Sequence, residues 1–290
     1  MIQRVHGPTY VVQQTFAEVQ IDGDLREWAG VVPILLNDAA HAAEGWRGPE
    51  SVSAMAYLMW DRSNLYVACD VRDDAVYSPS PECVWEGDCL ELAFDPLHDG
   101  KGWGFDEDDS HVGIALLEKG PIVCCADAPL GKPSWAVRDD IEAAVVKKVG
   151  ESGYIYEVRF PWEALGVGGP RMGKEWGFML SVVDNDGKKG QAGGLRWSRG
   201  LQIPREVSAF GHLVFAGAAP SLVEVSQTIS KHACGDEETL CIDVAINSPE
   251  DRDDLRMYAR MLSHSDDVLE EVTQKVELNK GVNLYGVVWE

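Results

Sequence analysis

Eight segments of this chain either alternate apolar with polar residues or run apolar for four to eight residues, which is the periodicity of β-strands. They are "SVSAMAYLMW" (51–60), "NLYVACDV" (64–71), "CLELAF" (89–94), "HVGIALLE" (111–118), "IEAAVVKKV" (141–149), "YIYEVRF" (154–160), "WGFMLSVV" (176–183) and "GHLVF" (211–215). Asp-, Asn- and Gly-rich turns such as "DRSN" and "DNDGKKG" separate them. The pattern leaves room only for short helices. In "DGDLREW" Asp24 can cap a turn that contains Trp28, and in "PWEALG" Pro161 opens a turn that Gly166 ends. The expectation is an all-β chain built on an antiparallel β-sandwich.

Near "AGAAPS" (216–221) the composition turns small and proline-containing, which places a boundary between residues 1–217 and 218–290. The second region again reads as strands. Four or five strands in about 70 residues fall short of the roughly 100 residues and seven strands of an immunoglobulin-like sandwich. The sequence also stops at Glu290 inside a strand pattern. A small or truncated immunoglobulin-like β-domain is expected there.

The stretch "WEGDCLELAFDP" (85–96) carries the main question about function. Alternation puts Cys89, Glu91, Ala93 and Asp95 on one side of the strand, with Asp88, Leu90, Leu92 and Phe94 on the other. Glu91 therefore shares a face with small residues. That face is either the wet side of a half-exposed sheet or a ligand surface with Trp85 at its rim.

A formal net charge of −23, from 48 acidic and 25 basic residues, argues against nucleic acid and anionic membranes as partners. Neutral ligands and cations remain. The opening "MIQRVHGPTYVVQQ" has no secretory-signal pattern, so the sequence reads as cytoplasmic or as a mature or internal piece of an exported protein. No apolar run approaches the roughly 18 residues of a membrane-spanning helix. The seven cysteines form no Cys-x-x-Cys pair, and most read as small buried hydrophobes; a Cys234–Cys241 hairpin disulfide is the alternative for one pair.

No Gly-x-Ser-x-Gly, P-loop or His-Glu-x-x-His motif occurs, and the seven histidines never fall at metal-ligand spacing. Acidic pairs are too numerous for any two to stand out as a hydrolase dyad. The run "DEDDS" (106–110) packs four successive carboxylates into a loop, where hard cations such as calcium take six to eight oxygens. Asp106, Asp108 and Asp109 are the candidate ligands, against the reading of a solvated acidic turn. Ten tryptophans are a stronger lead, because flat apolar rings cover sugar faces while nearby carboxylates take the hydroxyls. Trp60, Trp162 and Trp176 adjoin strong strand or helix patterns and read as core. Trp85, Trp103 and Trp46 lie in Gly/Pro-rich or acidic loops and are candidates for a surface platform.

Taken in order, "IDGDLREW" (21–28), "MWDRSNLYVACDVRDD" (59–74), "WEGDCLELAFDP" (85–96), "DEDDSHVGIAL" (106–116), "GYIYEVRFPWEALG" (153–166), "WGFMLSVVDNDG" (176–187), "LRWS" (195–198) and "FGHLVF" (210–215) resemble the family 9 carbohydrate-binding modules. The resemblance covers about residues 10–217. It implies a β-sandwich with structural calcium that clamps a sugar end between two aromatic rings, and an extracellular or periplasmic setting. The family's Trp-x-x-Asp-x-x-Glu segment falls on Trp85, Asp88 and Glu91, so that Trp85 would stack on the sugar, Glu91 would face its hydroxyls and Asp88 would be a buried acceptor.

Two departures accompany the resemblance. The loop before "FG" reads "SRGLQIPREVSA" (198–209), without the family's second aromatic, and the position of a sugar-contacting arginine falls near Gly113. The leading expectation is a non-catalytic carbohydrate-binding domain, an accessory module whose partners are a saccharide or polysaccharide and other domains of the same parent chain. The alternatives are a structural or interaction sandwich without sugar binding, and a haem-binding relative using strand methionines such as Met55, Met59 and Met179.

Overall fold

The computed structural model describes residues 8–80, 83–100, 104–171, 174–187, 192–201, 205–216, 224–234, 237–248, 251–262, 268–278 and 281–289. The chain is all-β and divides into two compact units, Met1–Ala218 and Ala219–Glu290. The first unit contains β1 (Thr9–Gln14), β2 (Ile34–Leu36), β3 (Val52–Trp60), β4 (Asn64–Asp73), β5 (Cys89–Asp95), β6 (Ser110–Leu117), β7 (Gly120–Asp127), β8 (Ala136–Val137), β9 (Glu142–Lys147), β10 (Gly153–Pro161), β11 (Glu175–Asn185), β12 (Ala192–Arg196) and β13 (Gly211–Ala216). All eight segments singled out by period become strands. Each lone strand-like pattern alternates or runs apolar because one or both of its faces is buried.

These strands form one continuous sheet in the order β8-β7-β6-β5-β11-β13-β1-β3-β4-β10-β9, with β12 beside β11 and β2 beside β3. Its two halves are antiparallel. They are joined by β1, which runs parallel to both β13 and β3, pairing Thr9 with His212 and Gln13 with Met59. Apart from this parallel seam, the registered strand pairings are antiparallel, as expected. The sheet curls so that the halves face each other across one core. Leu90, Leu92 and Phe94 of β5 and Phe178 and Leu180 of β11 meet Val158 and Phe160 of β10, all fully buried. Phe94 packs edge-on to Phe160 at 5.4 Å and lies 5.3 Å from Phe178. Trp60, Trp162 and Trp176 are buried, and the last two pack on Phe215 at 6.0 and 4.9 Å.

A buried carboxylate explains how "IDGDLREW" is held. Glu157, on the outer side of β10, is fully buried and accepts from Trp28 Nε1 (2.7 Å), Gly23 N (2.6 Å) and Asp22 N (3.1 Å). Asp24 caps the one-turn helix Leu25–Trp28 by accepting from Arg26 N. The turn Trp162–Leu165 ends at Gly166, whose φ of 73° lies in the left-handed region that glycine enters freely.

The second unit contains β14 (Glu224–Cys234), β15 (Glu237–Ser248), β16 (Arg252–Leu262), β17 (Val268–Leu278) and β18 (Gly281–Trp289), arranged as a three-stranded sheet β14-β15-β18 and a β16-β17 pair. The β14–β15 register sets Cys234 opposite Glu237 and Cys241 opposite Ser230. The two cysteines are thus four positions apart along the ladder, about 13 Å at 3.3 Å per residue, which is too far for the hairpin disulfide.

Candidate functional site

The outer face of the β11-β5-β6-β7 sheet carries a lattice fixed by register. One row runs Ser181, Glu91, Gly113, Cys124; the next runs Met179, Ala93, His111. At one end of these rows Cys89 and Ala115 pack with Val84, Trp85 and Val183. At the other, Ala93 and Met179 pack with Val207, Phe210 and Phe105. Glu91 lies between these two apolar patches.

Trp85, in the one-turn helix Val84–Glu86, lies against β6 at Gly113. A methyl group at Gly113 would stand 3.0 Å from Cε2 and Nε1 of the indole and 2.9 Å from Val84 Cγ2. Glycine at this position therefore leaves space that the Trp85 ring fills, which gives the missing side chain near Gly113 a physical reason. Trp135 stands against Trp85 with ring centroids 6.2 Å apart and planes at 68°. It is 75% exposed and has a φ of 54°, uncommon for a bulky side chain and costing about 1–3 kcal/mol. An exposed tryptophan held in a strained backbone is a mark of a functional surface.

The polar groups converge beside these rings. His111 Nε2 is 3.6 Å from Glu91 Oε1, and its Nδ1 is 4.0 Å from Asp127 Oδ2. Arg205, supplied by the loop before β13, pairs with Asp127 and lies 5.0 Å over the ring of Phe105. Phe105 and Trp85 sit 5.9 and 5.7 Å from the His111 ring. Both ring nitrogens of His111 and the indole N–H of Trp85 are buried without a hydrogen-bond partner. Burying a polar group unpaired costs about 1–3 kcal/mol, which the nearby carboxylates of Glu91 and Asp127 offset for His111 and which no described residue offsets for Trp85 Nε1.

Of the expected site residues, Trp85 and Glu91 occupy this face together. Trp46 is half-buried against the core, with its indole N–H donated to Val52 O at 3.0 Å, and among the described residues no ring contact links it to Trp85. Trp103 lies outside the described residues. Trp135, His111, Phe105, Asp127 and Arg205 escaped the sequence reading. Trp135 was accessible by the rule that selected Trp46, since "GKPSWAV" is equally a Gly/Pro loop; the others carry no local signal, because only strand register and loop return bring them together.

Structural calcium, which the family resemblance implies, has two candidate sets. Asp73, Asp88 and Asp184 are all buried, with carboxylate oxygens within 4.8 Å of one another. Asp88 accepts from the backbone of Tyr77 and from Asn185 N (3.0 Å), while Asp184 Oδ1 is buried without a partner. Burial, with the neighbouring carboxylate Asp73, pushes Asp88 up to about 8 and Asp184 up to about 6. An all-oxygen cluster with an unmatched buried acceptor fits a hard cation. In the acidic loop the grouping differs from Asp106, Asp108 and Asp109 taken together: Asp108 and Asp109 meet Asp95, and Asp106 and Asp108 meet Asp99. Desolvation pushes Asp109 up to about 7 and Asp108 up to about 6. The strand methionines named for haem scatter: Met59 and Met179 are buried in separate clusters, and Met55 is exposed.

Similarity to known proteins follows the same lines. The chain is 26% identical over 165 residues to endo-1,4-beta-xylanase A of Thermotoga neapolitana, covering 57% of this chain and 14% of that protein. It is 24% identical over 225 residues to exoglucanase XynX of Acetivibrio thermocellus, covering 77% and 19%. It thus spans less than a fifth of either relative's length. Two structures of a family 9 carbohydrate-binding module from Caldicellulosiruptor kristjanssonii share the fold, both at a TM-score of 0.55 and 73% of this chain. The one in complex with cellotriose is 18% identical and covered over 95% of its length, the one with glucose 17% and 99%. Residues 21–218 match the family described as carbohydrate family 9 binding domain-like, and the chain belongs to that family of carbohydrate-binding, non-catalytic modules.

Proposed function

We propose that the outer face of β5 and β6 binds saccharide and that this chain performs no catalysis itself. Trp85 supplies the stacking surface, Trp135 extends it, and Glu91, Asp127 and Arg205 take sugar hydroxyls, with His111 behind them positioning the two carboxylates. The observation that carries this reading is Trp135, 75% exposed and standing against Trp85 beside the partly exposed carboxylate of Glu91, in a family of sugar binders. A sugar presents apolar C–H faces and many hydroxyls, which suits such a corner.

The ring geometry narrows the mode. A pyranose held between two parallel rings needs roughly 3.5–4 Å of van der Waals spacing on each side. The Trp85 and Trp135 centroids are 6.2 Å apart, short of the roughly 7–8 Å such a sandwich needs, and the rings lie at 68°, so they form a corner rather than a slot. One sugar face is covered, and internal chain positions or several sugars are accepted. The relatives solved with cellotriose and glucose make these the first probes. Calcium is proposed as a structural ion at Asp73, Asp88 and Asp184, with Asp95, Asp108 and Asp109 as a second position. The lengths of the xylanase and exoglucanase relatives support a role as one accessory module of a longer carbohydrate-active protein, with the other domains as partners.

Isothermal titration with cellotriose and glucose tests the reading. Binding that is lost in Trp85→Ala, with the chain still folded, supports it. Binding unchanged in Trp85→Ala contradicts it.

A further inference from the structure

Away from the aromatic corner, the fold assembles two histidines that are 114 residues apart in sequence. His212 lies on β13 opposite Gly177 of β11, and Glu175, two residues before Gly177, projects from the same face. Asp95 of β5 pairs with Gly177 from the other side, and the chain then turns to His98. That turn is held by Asp95: His98 N donates to its Oδ1 at 2.6 Å and to its carbonyl at 3.2 Å, and Gly100 N donates to Oδ2 at 3.2 Å. His98 itself adopts a φ of 54°, a left-handed conformation that ordinary side chains avoid. Its ring comes edge-on to His212 with centroids 4.7 Å apart, and its Nδ1 is 3.8 Å from Glu175 Oε2.

We propose that His98, Glu175 and His212 form a binding site for a borderline divalent transition metal, with Zn2+ as the type. One ligand atom from each lies within 4.8 Å of the other two, which small side-chain rotations convert into the first sphere of a metal with bonds of about 2.0–2.2 Å. The donor set decides the metal class. Two imidazole nitrogens and one carboxylate suit zinc, nickel or copper, whereas calcium takes oxygens, so this site is chemically distinct from the acidic clusters. Three protein ligands leave a fourth position for water. The Asp95-held turn at His98 fixes its imidazole against that of His212 and beside the carboxylate of Glu175, so the three donors converge without further folding. With metal bound, the site would tie the β5–β6 loop, which carries Phe105, to the ends of β11 and β13.

The test uses the untagged full chain, stripped with chelator and held in excess calcium so that the acidic clusters are filled. Co2+ is titrated while the visible d–d absorption is followed, and Zn2+ is then added. The expected result is an absorbance that saturates at one equivalent and is abolished by Zn2+. His98→Asn, which tolerates the left-handed backbone, and His212→Gln each remove it, while Glu175→Gln weakens Co2+ binding by more than about tenfold. Zn2+ raises the melting temperature of the wild-type chain and not of His98→Asn. No visible band in the wild-type chain, or a band of equal strength in His98→Asn, overturns the proposal.

Discussion

The two faces of β5 are made from alternate residues of the same seven-residue strand, and they are finished in opposite ways. The inner face, Leu90, Leu92 and Phe94, is fully buried against side chains of both halves of the sheet. The outer face presents Glu91, 16% exposed at its side chain, beside His111, whose ring nitrogens lie 3.6 and 4.0 Å from carboxylates without a hydrogen bond, and an indole N–H without one. A face that serves only folding is packed until nothing is missing. The outer face is held in shape by two apolar patches yet keeps a partly exposed carboxylate and, at its edge, a 75% exposed tryptophan, which a ligand, not the fold, can use.

The comparison breaks first if the inner face tolerates truncation. Phe94→Ala should cost about 3–5 kcal/mol in denaturant unfolding, because it opens a cavity between Phe160 and Phe178. A loss below about 1 kcal/mol would mean that the two halves do not share a core.

Buried acids come next in size. Glu157→Ala leaves the donors of Trp28, Gly23 and Asp22 without their acceptor and should cost about 2–3 kcal/mol, read from the same unfolding curves. Calcium at about 100 times its dissociation constant should add about 2.7 kcal/mol. Burial raises Asp88, Asp184, Asp108 and Asp109 above the usual carboxylate range, to about 8, 6, 6 and 7. Between about pH 4 and 8 the folded chain therefore holds protons that the unfolded chain has released, and metal-free stability falls as pH rises through that window. Calcium has to displace those protons, so its stabilising effect should grow from pH 5 to pH 8. Melting curves with EDTA and with calcium at several pH values check this; a melting temperature indifferent to both at pH 8 leaves these carboxylates without a metal role.

Much of this was legible in the sequence, and the limits have physical causes. Strand positions were readable because burial on one or both faces imposes a period, and Trp85 with Glu91 because the segment 85–91 resembles the family's Trp-x-x-Asp-x-x-Glu stretch, although Trp85 sits in the one-turn helix before β5. The parallel seam at β1 was not readable, because pairing partners more than forty residues away leave no local trace in "TYVVQQ". The same holds for His111, Asp127 and Arg205, which meet only through register and a returning loop. The acidic loop was located by its charge run, but Asp95 and Asp99, which complete its clusters, lie outside that run.

Smaller effects sharpen the outer face. Trp85→Ala should weaken saccharide binding by about tenfold to a hundredfold while the chain still folds, with a smaller loss of stability than Phe94→Ala because Trp85 covers Gly113, Cys89 and Ala115 from outside the main core. Because the two rings form a corner and not a slot, reduction of the terminal sugar of cellotriose should cost less than about tenfold in affinity by isothermal titration, since one covered face does not require a free chain end. Binding abolished by end reduction would mean that another aromatic closes the second face.

The most direct measurement follows the indole N–H resonances of the tryptophans during titration with cello- and xylo-oligosaccharides, the Trp85 and Trp135 signals being identified by substitution. The account predicts that these two signals shift with saccharide while those of buried Trp28, Trp60, Trp162 and Trp176 stay in place. A saccharide that binds without moving the Trp85 signal, or the absence of binding by every member of that series, would contradict it.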